Sequence, residues 1–85
     1  MPRYYFDIAD GEAFPDRQGV DLPDLAAARV EAVRFAAEVL KEMPERFWHC
    51  ELWTMTISDT YRRPVFTLKF LAEDATPKTP ADTML

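Results

Sequence analysis

The sequence predicts an α+β fold, a two-layer sandwich in which one helix covers one face of a mostly antiparallel four-stranded sheet. Two segments with alternating apolar residues, 3–8 and 52–71, flank a single segment of helical periodicity, 25–43. The chain has 85 residues, which is enough for one core. Its hydrophobic fraction of 48% and aromatic fraction of 13% are too high for a disordered chain. The predicted order is therefore β-hairpin, helix, β-hairpin (ββαββ).

The first hairpin begins with a predicted strand at 3–8, where apolar and polar residues alternate. Asp10 and Gly11 predict its turn, because glycine adopts positive φ without steric cost. A short, irregular return strand is expected at 12–14. It is confined to the edge of the sheet, because Pro15 has no N–H to donate to a ladder. The residues that follow predict a second bend and a further extended segment.

The clearest predicted element is a helix of about 19 residues that begins after Asp24 and ends before Pro44. Pro23 keeps the preceding residue out of helical angles, and Asp24 is a suitable N-cap. The stripe expected to face the sheet consists of Leu25, Ala28, Ala32, Phe35, Ala36, Val39 and Met43. A second, milder apolar strip on the helix flank consists of Ala26, Val30, Val33 and Ala37.

The second hairpin is predicted from strands at 52–58 and 65–71, joined by a polar turn at 59–63 and preceded by a connector at 45–48. Nine residues are expected to pack under the helix: Tyr4, Phe6, Ile8, Trp53, Met55, Ile57, Phe66, Leu68 and Phe70. The opposite sheet face mixes polar and apolar residues, so we expect it to be solvated or to meet a second subunit.

Apolar periodicity stops after the last predicted strand. This indicates one α+β domain over 1–71 and a disordered C-terminal tail over 72–85. The N-terminus lacks the features of a signal peptide, and no stretch approaches the roughly 18 apolar residues of a membrane span. With Cys50 as the single cysteine, a cytoplasmic location is expected.

Composition and charge argue against several classes of function. The net charge of −5 disfavours general nucleic-acid binding and docking on anionic lipid. One cysteine excludes an intrachain disulfide, and one cysteine with one histidine makes a structural zinc site unexpected. The two glycines, Gly11 and Gly19, are too few for a phosphate-binding loop. No cofactor is therefore expected.

Three clusters of residues are candidate sites. The acids of segment 7–24 are Asp7, Asp10, Glu12, Asp16, Asp21 and Asp24, which suggest metal binding as an alternative, although their spacing is not that of a calcium loop. A weak single-stranded nucleic-acid surface is the other alternative, formed by Arg3, Tyr5, Arg62, Arg63 and Lys69. The adjacent His49 and Cys50 could pair a nucleophile with a base, but no oxyanion loop accompanies them, so enzymatic activity is the least supported function.

The favoured hypothesis is a small non-enzymatic protein–protein interaction or regulatory module that associates with itself as a homodimer. A domain of this size gains stability from self-association, and the milder helix strip and the open sheet face offer apolar surface for it. The residues proposed for the interface are Val30, Val33, Tyr5, Val65 and Leu71.

Several blocks of the sequence resemble a family of small proteins of unknown function found in rhizobia and other alphaproteobacteria. These blocks are Met1-Pro2-Arg3-Tyr4-Tyr5-Phe6, Gly19-Val20-Asp21-Leu22-Pro23-Asp24-Leu25, Trp53-Thr54-Met55-Thr56-Ile57-Ser58-Asp59 and Val65-Phe66-Thr67-Leu68-Lys69-Phe70. The resemblance covers about residues 1–71. It implies an architecture and no catalytic residues. It also implies a glycine in the last hairpin turn, where this chain has Tyr61-Arg62-Arg63.

Overall fold

The computed structural model describes residues 1–50 and 52–75 and confirms an α+β fold with an antiparallel sheet. Its elements, in chain order, are β1 (Arg3–Ala9), β2 (Ala13–Phe14), β3 (Val20–Asp21), α1 (Leu25–Glu42), α2 (Pro44–Cys50), β4 (Leu52–Ser58) and β5 (Pro64–Leu71). The strands lie in the order β2-β1-β4-β5, and β3 also pairs with β1.

Within the described residues the sheet has five strands in place of the predicted four, because the return strand is divided in two. β2 pairs with the end of β1 through Ile8 and Phe14, and β3 pairs with its beginning through Tyr4 and Val20. Pro15 and the bend after it interrupt the ladder between these two pieces. Both pieces occupy the same edge of β1, so this edge carries two short strands with a loop between them.

The predicted connector at 45–48 is wrong, because these residues belong to the second helix, α2. Pro44 ends α1 and is also the first residue of α2, where its missing N–H would have no partner within the helix. Glu45 lies in the first turn of α2, where its negative charge interacts favourably with the helix dipole. In the part of the chain that the structure describes, two helices therefore pack with the sheet, and the predicted cover of a single helix is not confirmed.

The core lies between α1 and the two central strands. Three alanines one turn apart, Ala28, Ala32 and Ala36, are fully buried. Their small side chains allow the helix backbone to approach the sheet closely. On the sheet side the buried residues are Tyr4, Phe6, Trp53, Met55 and Ile57.

The outer strand β5 is less well covered than the sequence predicted. Phe66 and Leu68 are only partly buried, as is Ile8 of β1. Phe70 is exposed, although its ring meets Trp53 edge-to-face with the centroids 5.6 Å apart. The narrow alanine face of α1 reaches β1 and β4 but leaves the far side of β5 open. The apolar residues of β5 are consequently half-covered.

Two members of the predicted helix stripe are also more exposed than expected. Met43 is the C-cap of α1 and lies outside the core. Phe35 is 38% exposed, and its ring meets that of Phe6 edge-to-face with the centroids 6.2 Å apart. Phe35 thus lies at the margin of the core, on the side of β1.

We expect Phe35→Ala to lower the free energy of unfolding by about 1–2 kcal/mol, because a side chain at the margin loses less than the roughly 3–5 kcal/mol of a buried phenylalanine. Urea denaturation measures the change. The matched variant Val30→Ala, on the exposed side of α1, should stay within about 0.5 kcal/mol of the wild type. A larger loss in Val30→Ala than in Phe35→Ala would show that α1 is rotated relative to the sheet.

Residues 72–75 form neither helix nor strand. The rest of the predicted tail, 76–85, lies outside the described residues. Neither helix in the described part of the chain has both the length and the apolar character that crossing a bilayer requires.

Candidate functional site

The loop between β2 and β3 is held to the edge of β1 by the carboxylate of Asp16. Its Oδ2 accepts the backbone N–H of Phe6 at 3.1 Å, and its Oδ1 accepts those of Gln18 and Gly19, both at 3.0 Å. The N–H of Asp16 donates in turn to Asp7 Oδ1 at 2.7 Å. A side chain therefore satisfies the backbone of β1 where neither β2 nor β3 reaches.

This environment favours the ionised form of Asp16. Burial of the carboxylate raises its pKa. The N–H donors and the nearby charge of Arg62 outweigh burial, so the pKa of Asp16 lies below its ordinary value. The negative charge is thus part of what holds the loop in place.

A second set of bonds ties α2 to the first hairpin. Arg46 donates through Nε to the buried carboxylate of Asp10 and through Nη2 to Glu12 at 2.9 Å. Its guanidinium carbon also lies 5.1 Å from the centroid of the Phe14 ring. Donation by Arg46 lowers the pKa of Asp10, although burial acts in the opposite direction. These contacts fix α2 against the Asp10-Gly11 turn.

The remaining acids of segment 7–24 are also engaged within the chain. Asp21 pairs with Arg3 at 2.9 Å, and Asp24 caps α1 by accepting the N–H of Ala27 at 2.9 Å. In residues 1–50 and 52–75, no group of three or more His, Cys, Asp or Glu side chains is placed to hold a metal ion. The segment considered as a metal site is thus a set of separate structural contacts.

His49 and Cys50 lie in α2. Consecutive helix residues point about 100° apart, so the two side chains do not face each other. The thiol of Cys50 donates to the carbonyl oxygen of Phe47 at 3.3 Å. Both residues border a shallow hollow of about 410 Å³ beside Arg46, whose guanidinium is already paired. The pair has no arrangement typical of a nucleophile and its base.

Most of the candidate basic surface is neutralised or stacked. Arg62 lies over Tyr5, with its guanidinium carbon 4.1 Å from the ring centroid, and donates to the carbonyl oxygen of Asp16 at 3.2 Å. Arg63 pairs with Asp59 at 3.3 Å. Arg62 also has a φ of 65°, in the last hairpin turn where the family resemblance implies a glycine. Its contacts with Tyr5 and Asp16 are ones that a glycine could not make.

The five residues proposed for an interface are placed on different surfaces. Val30 and Val33 are 53% and 58% exposed on α1, and Leu71 is 61% exposed at the end of β5. Val65, also exposed, lies where the pairing of β4 with β5 shifts register. Tyr5 is half-buried beneath Arg62 on the open face of β1. Leu71 lies on the sheet face away from α1, because its neighbour Phe70 pairs with the buried Trp53, so the structure does not bring the five residues together.

The two flanks of α1 face opposite edges of the sheet. Phe35 meets Phe6 of β1, whereas the guanidinium carbon of Arg29 lies 5.8 Å from the ring of Phe66 in β5. Side chains four residues apart share a helix face, so Val33 lies on the same flank as Arg29. The sequence showed the milder apolar strip but could not show which edge of the sheet it faces.

The outer edge of β5 and this flank of α1 lie on the same side of the domain. In the described part of the chain, β5 pairs only with β4, so its other edge is open. Beyond the end of α1, the exposed Trp48 and Phe70 border a hollow of about 140 Å³ together with Leu40. We call this the β5 surface. It comprises the outer edge of β5, Val33, Leu40 and Trp48.

Comparison with known proteins gives a family and no function. The family model Domain of unknown function (DUF6894) matches residues 3–71. This confirms the resemblance to a family of unknown function, whereas the alphaproteobacterial origin stays a prediction. No curated protein and no solved structure matches the chain.

Proposed function

The chain belongs to the DUF6894 family of domains of unknown function, and we propose that it is a non-enzymatic cytoplasmic module that forms a homodimer through the β5 surface. One observation carries the proposal: β5 is a long, apolar strand at the edge of the described sheet, and the flank of α1 that carries Arg29 and Val33 lies on the same side.

An open strand edge favours pairing with another strand. β5 spans eight residues, and within 64–71 only Pro64 and Lys69 are of the types that discourage such pairing. Pro64 stands at the start of the strand, where it leaves most of the edge unprotected. A second β5 pairing with this edge would extend the sheet across two subunits.

The helix flank supports association on the same side. Val33 is more than half exposed, and Ala37, four residues further on, continues its face of α1. Small side chains allow two helices to approach closely. When two β5 strands pair around a two-fold axis, the α1 flanks of both subunits lie on the same side of the joined sheet.

Charge restricts the register of such a pair. If the axis passed through Lys69, two ammonium groups would lie opposite each other, which is unfavourable. An axis at Thr67 places Lys69 opposite Val65 of the second copy. An axis at Leu68 places it opposite Thr67. Both arrangements keep the two lysines apart.

The remaining candidate sites support an interaction role over the alternatives. The acids of segment 7–24 accept hydrogen bonds from within the chain, which leaves few oxygens for a metal. Arg3, Arg62 and Arg63 are paired or stacked, which leaves little free positive charge for phosphates. His49 and Cys50 do not face each other across α2. A module that binds through apolar surface requires none of these groups.

We expect the full chain to be a dimer at micromolar concentration and Val33→Glu to weaken dimerisation by at least about tenfold, because a carboxylate would be buried against apolar surface. Sedimentation equilibrium and native mass spectrometry measure the association. Val20→Glu is the matched control, because Val20 is an exposed valine in β3 at the other edge of the sheet, and this variant should remain dimeric.

A wild-type chain that is monomeric at about 100 µM would refute self-association. If Val33→Glu dimerises as well as Val20→Glu, the proposed surface is wrong. Cysteine substitutions in a Cys50→Ser background give a positive test of the strand pairing. Thr67→Cys should form a disulfide across the dimer if the axis lies at that residue, and Leu68→Cys if it lies one residue further on.

A further inference from the structure

A cavity of about 390 Å³ lies on the opposite side of α1 from the β5 surface. It is bounded by α1, the inner face of β1 and the loop that Asp16 holds in place. The residues that decide its chemistry are Phe6, Ile8, Phe14, Val20, Glu31 and Phe35. Its volume is within the range of small-molecule sites, which are typically lined by apolar and aromatic residues with a few polar groups.

The walls of the cavity leave apolar surface uncovered. Phe14 of β2, Val20 of β3 and Phe35 of α1 are each more than a third exposed, and all three border the same space. They come from three separate elements, and the Asp16 loop sets the distance between two of them. The site is therefore formed by the described fold without any rearrangement.

The charged residues that line the cavity are both acidic, and Arg46, which lies over Phe14, is paired with Asp10 and Glu12. In the described chain the two acidic lining residues are Asp16 and Glu31. The Asp16 carboxylate is occupied by backbone N–H groups, whereas Glu31 is half-buried and forms no ion pair within residues 1–50 and 52–75. The carboxylate of Glu31 is thus available to a ligand at the margin of an aromatic cavity.

We propose that this cavity binds a small organic cation, an ammonium group attached to an aromatic or branched apolar body. The ammonium would pair with Glu31, and Gln18 at the same wall could accept a hydrogen bond through its side-chain oxygen. The apolar body would lie between Phe14 and Phe35. The ring of Phe35 would also attract the cation, whereas Arg46 already lies over the ring of Phe14.

Three probes of similar size and different charge test this inference. Phenethylammonium, phenethyl alcohol and phenylacetate are titrated into the full chain, and amide chemical shifts are followed by NMR. We expect shifts at Val20, Glu31 and Phe35, with the alcohol binding about fivefold to tenfold more weakly than the ammonium and the anion more weakly still. Equal binding of ammonium and alcohol, or no shifts at these residues up to about 10 mM, would overturn the proposal.

Two substitutions distinguish the contribution of the Glu31 charge to binding from that of the apolar cavity. Glu31→Gln should remove the preference for the ammonium while the alcohol binds as before. Glu38→Gln is the matched control, because Glu38 lies on the same flank of α1 as Phe35 but does not line the cavity, and it should keep the wild-type preference. Loss of the preference in Glu38→Gln alone would refute the role of Glu31.

The inference is independent of the proposed dimer. Val33 lies on the other flank of α1, so Val33→Glu should keep ammonium binding in a chain that no longer associates. If this variant lost both properties, the cavity would depend on the dimer, and an independent site would be excluded.

Discussion

Gly19→Ala is expected to lower the free energy of unfolding by about 2–4 kcal/mol, because two unfavourable effects coincide. Gly19 has a φ of +73°, which side chains other than glycine adopt at a cost. An added Cβ would lie 2.8 Å from Arg3 Cγ, 2.9 Å from the carbonyl oxygen of Tyr4 and 2.9 Å from Tyr5 Cε1. The Tyr4 oxygen belongs to the backbone of β1 and cannot move without disturbing its pairing with β3.

Gly11→Ala is the matched control that isolates the steric effect. Gly11 also has positive φ, at +100°, but no atom outside its immediate neighbours lies within 4 Å of the added Cβ. We expect this variant to cost about 1 kcal/mol, the conformational penalty alone. Urea denaturation at a single protein concentration compares the two. Equal losses in the two variants would show that the loop between β2 and β3 can move to accommodate the Cβ at residue 19, and that it does not pack tightly on β1.

Much of the fold follows from local pattern. The predicted helix and the strand at 52–58 agree with α1 and β4 because each segment keeps one periodicity over two or more turns or pleats. The pattern does not predict α2, because Pro44 marks the end of the helix before it. The same residue is also favourable at the start of the next one, and a segment of seven residues shows too few repeats to reveal its period.

The candidate site was harder to predict because its contacts join residues distant in sequence. The acidic segment suggested a metal site, yet Asp10 pairs with Arg46, which lies 36 residues further along the chain. Asp16 satisfies the backbone of Phe6 only because the loop turns back onto β1. The sequence predicted a bend at Asp16 but gave no sign of this return. Spacing alone did not show which carboxylates have partners.

The three faces of α1 explain why two independent surfaces fit on so small a domain. The face of α1 that packs on the sheet is narrow because it consists of alanines, so both flanks of the helix remain outside the core. One flank leaves the aromatic cavity beside β1, and the other leaves the β5 surface. A wider core face, with leucines in place of Ala28, Ala32 and Ala36, would move the helix away from the sheet and alter both surfaces.

Asp16→Ala is expected to lower the free energy of unfolding by about 3 kcal/mol, because it leaves three backbone N–H groups without their charged acceptor. The N–H of Phe6 is the most costly of these, since Phe6 is a core residue. Asp24→Asn is the control. It changes a carboxylate that also accepts a backbone N–H, and asparagine caps helices as well as aspartate does, so the loss should be within about 0.5 kcal/mol.

The pH dependence of the Asp16→Asn variant tests the role of the charge itself. The pKa of Asp16 is lowered in the folded chain, so its carboxylate contributes stability above the unfolded value of about 3.9. That contribution is lost as the pH falls through this value towards the folded pKa. The difference in free energy of unfolding between the wild type and Asp16→Asn should therefore be largest above about pH 5 and decrease below about pH 4. A deficit of constant size across this range, measured by urea denaturation at each pH, would mean that asparagine fails through its hydrogen-bonding geometry and that the charge of Asp16 does not stabilise the loop.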